Sequence, residues 1–186
     1  ASKIRSIIMK IIHLLGMASV LLAAQAHAHV SLIAPEHVAQ GQSFKAVVAI
    51  PHGCEGSATT LVTLHVPEGI VAVKPQPKAA WRISKTQQTY AQPYDYYGKK
   101  LSQGVTSVTW QGRLADDEYD EFVFQAYAAA IPAGADKVFF KLEQQCENGK
   151  LMWTDVSGKK IKGHDAAELG APFVSVRSSD AAMHHH

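Results

Sequence analysis

An excess of charge of either sign is missing from this chain: 18 Lys+Arg stand against 16 Asp+Glu in 186 residues. That near balance argues against a strongly basic nucleic-acid binder. Hydrolase signatures are missing too. No G-x-S-x-G, H-E-x-x-H or phosphate-cradling glycine loop occurs, so ordinary hydrolytic chemistry has no support. Sulfur is scarce, with two Cys and four Met, and no Cys-rich or Met-rich cluster offers a dedicated soft-metal site. Repeats, low-complexity linkers and sustained 3.6-residue apolar periods are absent, as is any apolar run of membrane-spanning length beyond residue 28.

Both ends read as processing segments. Residues 1–28 hold Lys3, Arg5 and Lys10, no acid, and the one long apolar run. Met9-Lys10 followed by residues 11–24 reads as a positive n-region and an apolar h-region, and Ala26-His27-Ala28 fits the A-x-A cleavage pattern, with a natural start at Met9. Residues 178–186 end in His184-His185-His186 and read as a tail with a tag remnant. Taking the three leader cations from 18 Lys+Arg leaves 15 against 16 Asp+Glu. The expectation is one near-neutral domain over 29–177, periplasmic or secreted, with no transmembrane anchor in the mature chain.

Cleavage after Ala28 would make His29 the first mature residue. An N-terminal histidine offers its free α-amine and its ring Nδ1 to one ion, closing a chelate ring without help from the fold. The amine's reference pKa is low for an amine, about 7.7–8.0, so a metal displaces its proton near neutrality. Planar nitrogen ligation suits Cu(II), which leads the affinity order of divalent first-row metals. The bland alternative is that the peptidase simply leaves a histidine at the end.

Cys54 and Cys146 are an even pair in an exported chain, which favours a disulfide over thiol chemistry. Between turn formers such as Pro51-His52-Gly53, Pro67-Glu68-Gly69, Gln111-Gly112 and Asn148-Gly149 lie short runs rich in β-branched and aromatic residues. They cover 44–50, 60–66, 71–74, 105–110, 121–127, 137–142 and 173–176. Such spacing predicts an all-β fold, a single antiparallel β-sandwich (Ig/cupredoxin-like) of seven to nine strands with one disulfide. His65 alternates with Val62, Leu64 and Val66 and so points to solvent; His164 sits in a Lys/Gly-rich loop. Trp81 and Trp110 read as core.

The start His29-Val30-Ser31-Leu32, the segment 51–60 (PHGCEGSATT), Pro67-Glu68-Gly69-Ile70 through Lys74-Pro75, and Trp81 together resemble the YcnI-like domain family. So do Tyr119-Asp120-Glu121-Phe122 and the later Cys146, Gly149 and Trp153. The resemblance spans nearly the whole mature chain and implies a secreted or surface-tethered β-sandwich binding Cu(II) through a single-histidine brace. It implies His29 as amine and imidazole donor, Trp153 close to the metal, and Glu121 as the completing carboxylate, with Glu118 and Glu36 as competitors. Alternation along a strand sends Phe122 and Phe124 to the core and Glu121 to the outer face or a strand end. His52 is a candidate second ligand.

The resulting expectation is a protein without enzymatic activity that captures, buffers or delivers copper, exchanging it with a periplasmic chaperone or a membrane importer. Two alternatives stand beside it. A copper-dependent monooxygenase of the polysaccharide type needs a second histidine, His52 or His164, and a flat aromatic surface, for which 90–97 (YAQPYDYY) is the candidate. A metal-free interaction sandwich needs none of these residues.

Overall fold

A computed structural model describes residues 29–159 and 169–177. The leader expected over 1–28, His164 and the 178–186 tail lie outside the described residues. All regular structure among the described residues is strand. In chain order the strands are β1 (Ser31–Ile33), β2 (Val38–Ala39), β3 (Ser43–Ile50), β4 (Thr59–His65), β5 (Ile70–Pro75), β6 (Arg82–Tyr96) and β7 (Lys99–Leu114). There follow β8 (Asp120–Ala128), β9 (Lys137–Phe139), β10 (Leu142–Cys146), β11 (Lys150–Asp155), β12 (Leu169–Gly170) and β13 (Phe173–Arg177). Among the described residues no helix is long and apolar enough to cross a membrane.

The strands order as β1-β3-β8-β5 in one sheet and β12-β11-β10-β4-β7-β6 in a second; a short third sheet runs β2-β13-β9. Pairing is antiparallel except for β11 with β12 and β13 with β2. Alternation makes the core. Phe44, Ala46, Val48 and Ile50 of β3 and Phe122, Phe124 and Ala126 of β8 are buried, as are Val62 and Leu64 of β4 and Val108 and Trp110 of β7. All belong to one apolar cluster, and Trp110 of the second sheet lies 5.4 Å from Phe122 of the first. Each large side chain so buried contributes about 1.5–3 kcal/mol.

Three local expectations need correction. The run 137–142 is two strands, because the chain changes sheet between them: β9 pairs with β13, while β10 pairs with β4. Val138, Phe140 and Leu142 are all buried, so the period-two pattern runs unbroken through the crossing and hides it. The stretch 90–97 is no flat exposed surface. Tyr90 and Tyr94 are each 7 % exposed and form a second cluster with Val71 and Tyr127. Trp81 is half-buried, its ring edge-on to Phe122 at 4.7 Å, whereas Trp110 is fully in the core.

The reading of His65 holds: it is half-exposed on the outer face, its Nε2 2.8 Å from Glu143 Oε1. β6 and β7 join through Tyr97 (φ 51°) and Gly98 (φ 81°), the two-residue turn with both central φ positive that matches the twist of paired strands.

Candidate metal centre

The chain start is held by strand pairing. Ser31, Leu32 and Ile33 pair with Ala49, Val48 and Val47, and Val30 is 4 % exposed in the main core. His29, one residue earlier, is exposed. Its ring meets Trp153 edge-on, centroids 6.0 Å apart and planes at 90°. Trp153 lies on β11 opposite Leu142 of β10 and is 1 % exposed. The tryptophan therefore both fills the core and meets the histidine ring.

Behind the indole lies a buried polar chain. Trp153 Nε1 donates to Gln144 Oε1 at 3.2 Å. Gln144 Nε2 donates to the His52 carbonyl at 2.7 Å and to Thr59 Oγ1 at 2.8 Å. Gln144 and Thr59 are among the few buried polar residues, at 1 % and 0 % exposure. Cys54 and Cys146 form the expected disulfide, with Cα atoms 5.9 Å apart, so the loop carrying His52 is tied to the end of β10. The ring Nδ1 of His52 lies 2.6 Å from the Gly53 carbonyl, and the Gly53 N–H donates to Asp116 Oδ1 at 3.1 Å. Gln144 and Asp116 are the residues that reading the sequence missed.

The carboxylates separate clearly. Glu121 sits on the outer face of β8, in the cross-strand row Ser31–Ala49–Glu121. Its backbone is two strand spacings, about 10 Å, from that of Ser31. Its carboxylate accepts from the Tyr119 hydroxyl. That bond, first among the causes, with some burial, raises the Tyr119 pKa above its ordinary value. Glu118 lies before the strand and accepts from the Ala115 N–H within its own turn. Glu36 is 93 % exposed, its carboxylate 3.9 Å from His37 Nε2.

The structure thus brings His29 and Trp153 together and leaves Glu121 at the same end of the first sheet, engaged with Tyr119. Among the described residues no group of three or more His, Cys, Asp or Glu is gathered to hold an ion. A metal here would draw on donors from His29 itself, its imidazole and, if the chain were cleaved directly before it, its amine. That donor set fits Cu(II).

No curated protein matches the chain. Among solved structures it is similar to an uncharacterized protein from Nocardia farcinica, whose crystal structure shows an immunoglobulin-like fold. The two share 20% identity with a TM-score of 0.55 over 80% of this chain and 97% of that one. At that identity the likeness establishes the fold. The model for the Domain of unknown function (DUF1775) matches residues 29–176, and the chain accordingly belongs to the DUF1775 family, the YcnI-family domain.

Proposed function

We propose that this protein is an exported Cu(II)-binding protein that captures, buffers or delivers copper in the periplasm or outside the cell. The ligand set is a single-histidine brace at His29, with Trp153 beside the metal and Glu121 completing the site. The observation that carries this reading is the edge-on seat of the His29 ring on the buried Trp153 indole. It is supported by the family match beginning at His29. The role is carriage of the ion, not catalysis. An ion held by one terminal residue and a carboxylate is kinetically accessible, which suits exchange with a copper chaperone or importer. The indole shields one side of the ion from water, and the amine loses its proton as copper binds.

The test is Cu(II) binding by tag-free protein starting at His29, read by EPR, beside the same protein with one extra alanine in front. One tight Cu(II) with nitrogen couplings in the first and not in the second establishes the amine-plus-imidazole brace. Equal binding by both moves the site elsewhere, with His52 first to be mutated. Binding by neither overturns the copper reading.

A further inference from the structure

We propose that Gln144 is the positioning residue of this site: it sets the rotation of the Trp153 indole against His29 and locks that rotation to the His52 loop. The inference rests on the His29–Trp153 reading above but goes beyond it, because the orientation can be measured without any metal. Gln144 occupies an inward position of β10, in step with Leu142 and Cys146, both buried. A glutamine in a sandwich interior calls for an account, and its hydrogen bonds supply one.

The amide can sit only one way round. The His52 carbonyl only accepts and the indole N–H only donates, so Nε2 must face His52 and Oε1 must face Trp153. The second amide hydrogen goes to Thr59 Oγ1. Both donors and the acceptor are thereby used, and a fully satisfied buried network fixes a single arrangement. The anchors on either side are themselves fixed. His52 lies two residues before Cys54, and Gln144 two residues before Cys146, in a disulfide-bonded pair. An indole without its acceptor could rotate about its side-chain bonds; bonded to Gln144, it presents one edge and one face to His29.

No common substitute keeps this arrangement. Leucine retains the bulk but removes both the acceptor for the indole N–H and the donor to the His52 carbonyl. Glutamate retains the acceptor for Trp153 but, ionised, sets an oxygen against the His52 carbonyl. Asparagine keeps the amide but is one methylene too short to reach both the indole N–H and the His52 carbonyl.

The experiment follows the Trp153 indole N–H and the His29 ring protons by NMR in metal-free, tag-free protein starting at His29, for wild type, Gln144→Leu and Gln144→Asn. With the sheet resonances retained, Gln144→Leu should speed exchange of the indole N–H at least tenfold and move the His29 ring shifts away from their wild-type values. In a Trp153→Phe background the same change should leave His29 unmoved. Cu(II) affinity should weaken by roughly tenfold, as for other supporting groups around metal ligands. Unaltered His29 and Trp153 signals in folded Gln144→Leu would overturn the proposal. Should Gln144→Leu fail to fold, Gln144→Asn decides: at one fixed pH, Trp153 indole N–H and His29 ring signals displaced from wild type support it, and signals identical to wild type overturn it. If wild type binds no copper, the copper reading falls while the metal-free spectra still judge Gln144.

Discussion

Gly53 shows how tightly one backbone position near the site is specified. A Cβ built there would stand 1.9 Å from the Ser57 carbonyl oxygen and 2.9 Å from Asp116 Oδ1, so the loop itself would have to move. Gly53→Ala is expected to destabilise by about 1–3 kcal/mol, the range for forcing atoms into filled space, with urea unfolding as the measurement. Gly56, three residues on, has nothing within 4 Å of its missing Cβ and a φ of 84°. Gly56→Ala should therefore cost only the conformational penalty, about 1 kcal/mol. If the two variants unfold alike, contact with Ser57 is not what constrains the loop. At this scale the cleavage pattern and the family motif singled out His29 and Trp153, and the structure sets their rings edge-on 6.0 Å apart. Gln144 was not legible in the sequence, because a glutamine flanked by Glu143 and Gln145 looks like any outward residue until the parity of Cys146 is known.

Among elements, β6 was the hardest to read and the most informative once placed. Its first eight residues, RISKTQQT, are polar and exposed apart from Ile83, which packs against the core, and the strand lies at the sheet edge paired with β7. Its later part turns Tyr90 and Tyr94 inward, where Glu68 accepts from the Tyr94 hydroxyl at 2.7 Å and from the Ala91 N–H at 3.0 Å. The central strands β3, β4 and β8 were legible because each alternates over much of its length, although β3 and β8 each end in three consecutive buried residues. The crossing from β9 to β10 was not, since alternation reports a face and not the sheet it belongs to.

The tyrosine cluster carries its own pH signature. Burial first, and then Glu68, raise the pKa of both Tyr90 and Tyr94 above their ordinary value. A phenol whose folded pKa lies above its unfolded one binds its proton more firmly when folded. Its contribution is fully present below the unfolded value, about 10, and is lost as pH rises through the folded value. Urea midpoints should therefore fall above about pH 10. Tyr94→Phe should blunt that fall while lowering stability near neutrality by about 1 kcal/mol for the lost hydrogen bond. An alkaline limb identical in the variant would remove Tyr94 from the account.

For the molecule as a whole, the principal covalent restraint is Cys54–Cys146, with a sequence separation of 92. Closing a loop of that size stabilises the folded state by about 4–5 kcal/mol in the chain-entropy account. The double variant Cys54→Ala/Cys146→Ala should lose stability of that order, measured as the difference in urea unfolding free energy from the oxidised protein. A loss below about 1 kcal/mol would mean that the unfolded chain is already constrained between these points.

The same covalent tie also keeps time. Cys54 lies just before β4 and Cys146 ends β10, and these two strands pair with each other although they are distant in sequence. Pairings of such long range form slowly, so the thiols should remain open to alkylation until β10 has docked. Quenching a refolding reaction with an alkylating agent at successive delays would turn the fraction protected into a stopwatch for the closing of the second sheet.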